Sequence, residues 1–368
     1  IGFQSQAGGV LPTLYVGTRF RQFLVMFGPL LVAIAGLLTL LAIRLRQLEG
    51  TRRLLGSWAT WTVALILLPL GAMLVIVLVM LAAPQGREFL EEVRRIPFIY
   101  ALVGEEPWLS VLGRLLWVKL RTWVTLLVVG AMAGMAMVLL QRSVAAGRSR
   151  ASQEDAVPAG EEGLLLEGKE EPPADRGGTL ASALSHPSIR FALLCAVVGL
   201  LLTLSVEFVY LVDVFRVRMN TIFKFYFQAW VLMAIASGFA VYWLTRGRGL
   251  LRTVFLVGFW LLFAMGMVYP VLGNYSRASG FQGTPQLDGT AYLAENHPED
   301  HAAVNWLNEW VQGAPVIVEA PGSGGSSYVY EGRISALTGL PTLLGWAGHE
   351  GQWRGSYDIQ NARDPDIE

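Results

Sequence analysis

Residues 54 to 86 read LLGSWATWTVALILLPLGAMLVIVLVMLAAPQG, a run of 33 residues without Asp, Glu, Lys or Arg. An α-helix rises 1.5 Å per residue and the hydrocarbon core of a bilayer is about 30 Å thick, so about 20 such residues cross it. Five more charge-free stretches, 22–43, 122–141, 191–206, 225–245 and 253–276, have the same Leu, Val, Ala, Phe and Gly character. Buried helices of a soluble protein need amphipathic partners to wrap them, and six such runs leave too little polar sequence to do so. The spacing of charges predicts a mainly α fold, a polytopic helical membrane bundle with about six spanning helices.

Composition points the same way. Of 368 residues, 54% are hydrophobic and 15% charged, whereas a soluble domain carries about 25% charge. The mean hydropathy is +0.48. These values exclude a disordered chain, a disulfide scaffold and an ordinary cytosolic enzyme. The 28 basic and 28 acidic residues cancel, which leaves no global positive field for nucleic acid, and no nucleic-acid partner is expected. Cys195 is the only cysteine, so neither an internal disulfide nor a cysteine metal site can form. The chain starts at Ile1 without the basic, apolar, small-residue series of a signal peptide, and reads as the continuation of a longer protein.

The same runs divide the chain. Residues 1–142 form a membrane region with three spans and an outer loop at 84–121; residues 190–272 form a second with three more. Between them, 143–189 is polar, rich in Glu, Pro, Gly and Ala, and without sustained period, as expected of a disordered cytoplasmic loop. Residues 273–368 read as a small extracytoplasmic α/β domain, incomplete at its end. In it EDHAAVNWLNEWV (299–311) places Ala303, Trp306, Leu307 and Trp310 on one helical face, PVIVEA (315–320) is a buried strand, PGSGGSS (321–327) a flexible turn, and RISALTGLPTLLGW a further helix or strand. Orientation follows from Lys and Arg near the spans, which prefer the cytoplasm. With the N-terminus outside, the inner connections carry 13 basic residues and the outer ones 9. The third inner connection, TRGRGLLR, has three arginines and no acid.

The densest polar constellation is SVEFVYLVDVFRVRMNTIFKFYFQAW, residues 205–230. Only 16 uncharged residues separate Arg190 from Glu207, about 24 Å of helix, so Glu207 falls at the outer boundary. An acid there needs a wet cavity or a basic partner. Glu207 and Asp213 are the candidate catalytic acids. Arg216, Arg218 and Lys224 follow on the side where positive charge is disfavoured, and suit a phosphate, Arg as a planar fork and Lys as a point charge. They fit equally well as neutralising partners of the two acids or as contacts to anionic headgroups. Asn220 and Thr221 suit a polar ligand or the capping of the fifth helix. Arg114, Lys119 and Arg121, interleaved with Trp108, Trp117 and Trp123, fit an ordinary interfacial belt of snorkelling cations, or else a surface-lying helix that guides a lipid-linked anionic substrate.

GWAGHEGQWRGSYD (345–358) gathers His349, Glu350, Trp353, Arg354, Tyr357 and Asp358 among four glycines. A Trp face stacks on sugar C–H surfaces while Arg and acids bond hydroxyls, so these residues are candidate glycan contacts; a connector whose polar groups satisfy one another is the other reading. His297 and His301 flank Pro298 and are not an HEXXH pair, so no zinc site is expected. No phosphate loop, GXSXG or dinucleotide fingerprint is present, and no cofactor is expected.

Together RMNTIFKFYFQAW, APVIVEA, GRISALTGLPTLLGW and GHEGQWRGSYD resemble the YYY family of uncharacterised bacterial and archaeal multi-pass membrane proteins. That family looks distantly similar to the C-type membrane glycosyltransferases, which combine many membrane helices with an outer α/β domain and take sugar from a polyprenyl-phosphate donor. The resemblance implies a membrane-embedded transferase acting on the outer face. Its partners would be a polyprenyl-phosphate-linked sugar or other anionic lipid, a glycan or protein acceptor, and the membrane lipids. Those enzymes usually carry an acid on the first outer loop, whereas Glu49, the first acid here, falls on the inner side. A transporter or lipid-handling protein is the alternative, with Pro69–Leu–Gly71 as a candidate helix break, and a glycan-binding scaffold without catalysis is the third.

Overall fold

The computed structural model describes residues 9–13, 16–95, 100–101, 104–154, 184, 186–213, 217–283, 285–320, 322, 327–354, 356 and 358–367. A short strand β1 (Val10–Pro12) precedes α1 (Phe20–Glu49), α2 (Thr51–Ala82), α3 (Pro84–Arg94), α4 (Trp108–Arg121), α5 (Trp123–Glu154) and α6 (Pro187–Ser205). Strand β2 (Val209–Leu211) is followed by α7 (Met219–Thr245) and α8 (Leu250–Arg277). Each charge-free run has become a helix long and apolar enough to span: α1, α2, α5, α6, α7 and α8. Gly50 alone joins α1 to α2 at φ +84°, a left-handed turn that a side chain would strain.

Five of the six spans pack through contiguous faces. α7 lies on α6 and α1, and α5 lies on α2, α6 and α1. Phe23, Phe27, Ile34, Leu37 and Leu41 of α1 meet Leu139, Leu193, Leu200 and Met233 in the core. α2 and α8 are peripheral: α2 buries only Leu54, Met73 and Val77, and α8 only Arg252 and Phe259. Lipid offers no hydrophobic drive for helix association, so close packing at small residues must supply it. Gly130 and Gly134 of α5 do this against α2. A Cβ on Gly134 would lie 2.7 Å from Thr62 Oγ1 and 3.0 Å from Thr62 N, and one on Gly130 would lie 2.9 Å from Ile66 Cδ1. The Trp58 indole also donates to the Ala131 carbonyl at 2.7 Å.

Three expectations change. α5 continues to Glu154, so 143–154 are helix rather than disordered loop. A long helix already formed needs no new nucleus, and Ala, Arg, Gln and Glu extend it readily. Ser143 Oγ fastens this extension by donating to Leu184 O at 2.5 Å; residues 155–183 and 185 of that loop lie outside the described residues. Pro69 does not break α2, which runs through it. β1 and β2, which were not expected, pair antiparallel with Leu11 opposite Tyr210; three residues each are too few to show a period.

The described residues from 274 onward belong, with Gly9 and residues 212–213, to a second compact unit. It contains α9 (Ala291–Asn296), α10 (Pro298–Trp310), α11 (Arg333–Thr338), α12 (Ala347–Arg354), α13 (Asp358–Asn361) and α14 (Asp364–Ile367). The strand expected at 315–320 shrinks to one parallel bridge, Ile317 to Thr342, with Val316 and Val318 both 63% exposed. Pro315 and the absence of a neighbouring strand among the described residues leave VIV without a ladder. Most of the turn expected at 321–327 lies outside the described residues. α10 covers most of the helix expected at 299–311; its buried side chain is Val304, while Trp306 and Trp310 are exposed. Packing follows the Asp300–Arg333 ion pair instead, Nε to Oδ2 at 2.7 Å and Nη2 to Oδ1 at 2.9 Å, which joins α10 to α11. Those bonds from Arg333, followed by one from the Tyr330 hydroxyl, hold the Asp300 carboxyl down at about 2.

Candidate functional site: a buried ionic clamp at one end of the bundle

α1, α5 and α7 begin, and α6 stops, at the same end of the bundle, and polar side chains there close on one another. The turn after α6 buries Glu207 to 1% exposure. Its carboxylate accepts from the Thr18 backbone N–H at 3.0 Å, from the Thr18 hydroxyl at 2.5 Å and from Arg218 Nη1 at 3.0 Å. Arg218, which precedes the first residue of α7, also donates to Val206 O at 3.2 Å and to Thr18 Oγ1 at 3.3 Å. Lys119, in the last turn of α4, donates to the backbone carbonyls of Glu207 at 2.5 Å and Val16 at 3.2 Å. Thr125 Oγ1 reaches Thr18 O at 2.6 Å, and Tyr226 OH lies 3.2 Å from Thr18 Oγ1. The Tyr226 ring packs edge-on against Phe23 and Phe27.

The sequence forces this approach. Gly17 sits where a Cβ would lie 2.4 Å from Thr122 Oγ1, so only glycine lets the segment before α1 lie against the start of α5. Thr13 N donates to Phe208 O at 2.7 Å, which continues the β1–β2 pairing toward Glu207. Thr221 Oγ1 accepts from Leu211 N–H at 2.9 Å and thereby ties α7 to β2.

Two buried cations share one buried anion, since Lys119 and Arg218 are 8% and 9% exposed. Burial pushes the Lys119 ammonium down to about 8, more than the Glu207 carboxylate lifts it, and Arg218 adds to the downward push. A lysine whose charge the fold disfavours carries that cost below its folded pKa and is relieved of it as pH rises toward the unfolded value. Thermal unfolding in detergent should therefore show the parent protein gaining stability over Lys119→Met between pH 8 and 10.5 and holding level below 8. A flat difference across that window would contradict the buried charge.

The site residues expected from sequence are partly reunited. Glu207 and Arg218 meet directly. Lys224 is exposed, six residues past Arg218 and so on another face of α7. Asn220 is half-buried, Asp213 is half-buried in the second unit, and Arg216 and Tyr357 lie outside the described residues. Lys119 is a correction: a side chain expected to snorkel in the interfacial belt is instead inside the clamp. Its signal was its solitude, a lysine among arginines, since an ammonium fits a cluster of carbonyls as a compact point charge. Thr18 and Tyr226 carried no sequence signal at all.

The second unit gathers the other candidates. The glycine-rich loop expected at 345–358 forms α12 over Ala347–Arg354. A concavity of about 400 Å³ is lined by Trp346, His349, Glu350, Trp353 and Arg354 among others. Glu350 and Arg354 form an ion pair one helical turn apart. Tyr328 packs edge-on to His349 at 4.5 Å and tilts against Trp346 at 5.5 Å. Asp358 is exposed at the start of α13.

Residues 1–233 match the model of an uncharacterized membrane protein family, DUF2298. The chain belongs to this family. Thr18, Lys119, Glu207, Arg218 and Tyr226 all lie inside the matched part, and the aromatic concavity lies outside it. No curated protein and no solved structure matches the chain. By its family and its six apolar helices, the protein is a multi-pass membrane protein.

Proposed function

We propose that this end of the bundle, facing the exterior, binds the phosphate of a polyprenyl-phosphate-linked sugar, and that the protein transfers the sugar to a glycan or protein acceptor. The observation that carries the reading is the cation excess on the elements that meet at the clamp. Lys119 and Arg218 lie inside it with Glu207, and Arg19, Arg21, Arg121 and Lys224 are exposed on or near the starts of α1, α5 and α7. The helix N-termini of α1, α5 and α7 add their positive dipole ends. Arg19 and Arg21 also narrow the basic asymmetry expected between the two sides, so positive charge is retained at this end despite its cost to topology.

Within this reading the acids divide their roles. Glu207 accepts three bonds and positions Arg218; Asp213 is the acid proposed to take the acceptor proton. A phosphate leaving group carries its own charge, so one base and a cationic clamp suffice for sugar transfer. Trp353, with His349, Glu350, Arg354, Tyr357 and Asp358, is proposed to contact glycan. The continuous α2 gives the transport reading no broken helix to build on.

The test uses the full protein in nanodiscs with a radiolabelled polyprenyl-phosphate sugar and, as a control, uncharged polyprenol. The phosphate lipid is expected to bind in preference to the polyprenol, with that preference falling about tenfold in the double variant Arg121→Gln/Lys224→Gln. Transfer is expected to vanish in Asp213→Asn while lipid binding persists. Equal retention of both lipids would overturn the phosphate reading. Unchanged transfer in Asp213→Asn would remove the base.

A further inference from the structure

The concavity of the second unit sorts its aromatic side chains into a fixed wall and an open platform. Trp346 is the wall: its indole N–H donates to Glu331 O, and its ring packs at 5.5 Å against Tyr328 and at 5.4 Å against His349. Gly332 lets this wall close, since a Cβ there would lie 2.9 Å from Trp346 Nε1, and its φ of +85° favours glycine. Trp353 is the platform. It lines the same concavity, is 58% exposed, and follows His349 by one turn on the same face of α12. A large ring open to solvent beside polar groups is what stacking on a ligand requires.

Charge is balanced within the lining. Glu350 and Arg354 bond each other one turn apart on α12. Arg354 is held from a second side as well: with its amide turned to donate to Ser356 O at 3.2 Å, Gln360 accepts from Arg354 Nε at 3.0 Å. An anionic ligand would have to draw Arg354 from these acceptors while standing beside the Glu350 carboxylate, and that like-charge contact opposes binding. Neutral hydroxyls meet no such opposition. Ser335 Oγ donates to Gly332 O at 3.1 Å and Thr342 Oγ1 to Leu344 O at 3.4 Å, and each hydroxyl keeps lone pairs that accept. A guanidinium has five N–H donors, more than Glu350 and Gln360 take from Arg354.

We propose that this concavity binds an uncharged pyranose with equatorial hydroxyls, stacked on Trp353, and discriminates against uronic acids. The inference rests on the reading that these residues contact glycan, and adds the chemical class of the sugar. In an equatorially substituted ring the axial C–H bonds form two apolar faces while the hydroxyls point outward around the edge. One face covers the Trp353 indole, and the edge bonds Arg354, Glu350, Ser335 and Thr342. The volume of about 400 Å³ lies at the small end of ligand clefts, which run about 300–1,000 Å³.

Saturation-transfer difference NMR on the full chain in nanodiscs tests this with methyl β-glucoside, methyl β-glucuronide and tetramethylammonium, a cation that aromatic rings also attract. The two glycosides differ only in carrying a hydroxymethyl group or a carboxylate. The glucoside is expected to bind at least about fivefold more tightly than the glucuronide, with saturation strongest on the axial protons of one face. Trp353→Ala should weaken the glucoside about fivefold or more, and Trp353→Phe by less, while thermal unfolding stays close to the parent because the side chain is exposed. Glu350→Gln should gain the glucuronide while still binding the glucoside, because it lifts the repulsion and loosens Arg354. Equal affinity for the two glycosides in the parent, or an unchanged preference in Glu350→Gln, would overturn the uncharged-sugar site and leave glycan contact standing. Saturation spread evenly over the glucoside, no loss in Trp353→Ala, or binding of tetramethylammonium in place of the glucoside would remove glycan contact as well. None of these outcomes depends on sugar transfer.

Discussion

Arg218→Ala is expected to destabilise the bundle by about 3–5 kcal/mol, the cost of leaving a buried charge without its partner. The Glu207 side chain is 2% exposed and that of Arg218 is 10% exposed, so water replaces neither when the other is removed. The loss also reaches beyond the pair, because Arg218 bonds Val206 O and Thr18 Oγ1 and so fastens the turn after α6 to the segment before α1. In denaturant titration of the purified protein the midpoint should fall well below that of the parent. Glu207→Gln should cost less, since the amide can still accept from the Thr18 N–H or hydroxyl. The double replacement Arg218→Met/Glu207→Leu should recover part of the loss, because removing both charges leaves no orphan. Lys224→Ala, at an exposed position on the same helix, should lie within about 0.5 kcal/mol of the parent. If Arg218→Ala proved as mild as Lys224→Ala, the clamp would not be holding these elements together.

The contrast between those two cations shows what the sequence could and could not reveal. Hydropathy determines where each span lies, because every residue of a lipid-facing helix is under the same constraint; all six charge-free runs became helices. Charge spacing also marked Glu207 as an acid in need of a partner. Which of Arg216, Arg218, Lys224 and Lys119 would supply the partner depends on helix phase and on how four elements converge, and neither is written in local spacing. Lys119 lies 88 residues before Glu207 and Thr18 lies 189 before it. Propensity failed in the other direction at PVIVEA, whose β-branched residues lack a neighbouring strand among the described residues. The same holds at Trp306 and Trp310, whose spacing marks one helical face although both are exposed and Val304 is the buried side chain of that helix.

Gly134→Val is expected to separate α2 from α5, at a cost of at least about 1–3 kcal/mol. GAMAG, residues 130–134, places its two glycines one turn apart on the face of α5 that meets α2. At Gly134 the nearest atoms to an added Cβ include Thr62 N at 3.0 Å and Thr62 Cα at 3.3 Å, which are backbone and cannot rotate away. Thr62 Oγ1, at 2.7 Å, is itself held by its bond to Trp58 O. Valine adds two methyl groups to that contact, and the helices must part. Parting them lengthens the bond from Trp58 to Ala131 O and that from Trp61 Nε1 to Gln141 Oε1, which measures 3.2 Å in the packed state. α2 has little else to hold it, with three buried residues in 32, and lipid gives no compensating drive to reassociate. Hydrogen exchange should therefore rise in residues 58–66 and 128–136 while the α6–α7 pair stays protected. Gly71→Ala in the same α2 meets nothing within 4 Å and should be neutral, or stabilising by up to about 1 kcal/mol through helix propensity. Equal exchange in the two variants would mean that α2 is held by lipid or by a partner, and not by the glycine face of α5.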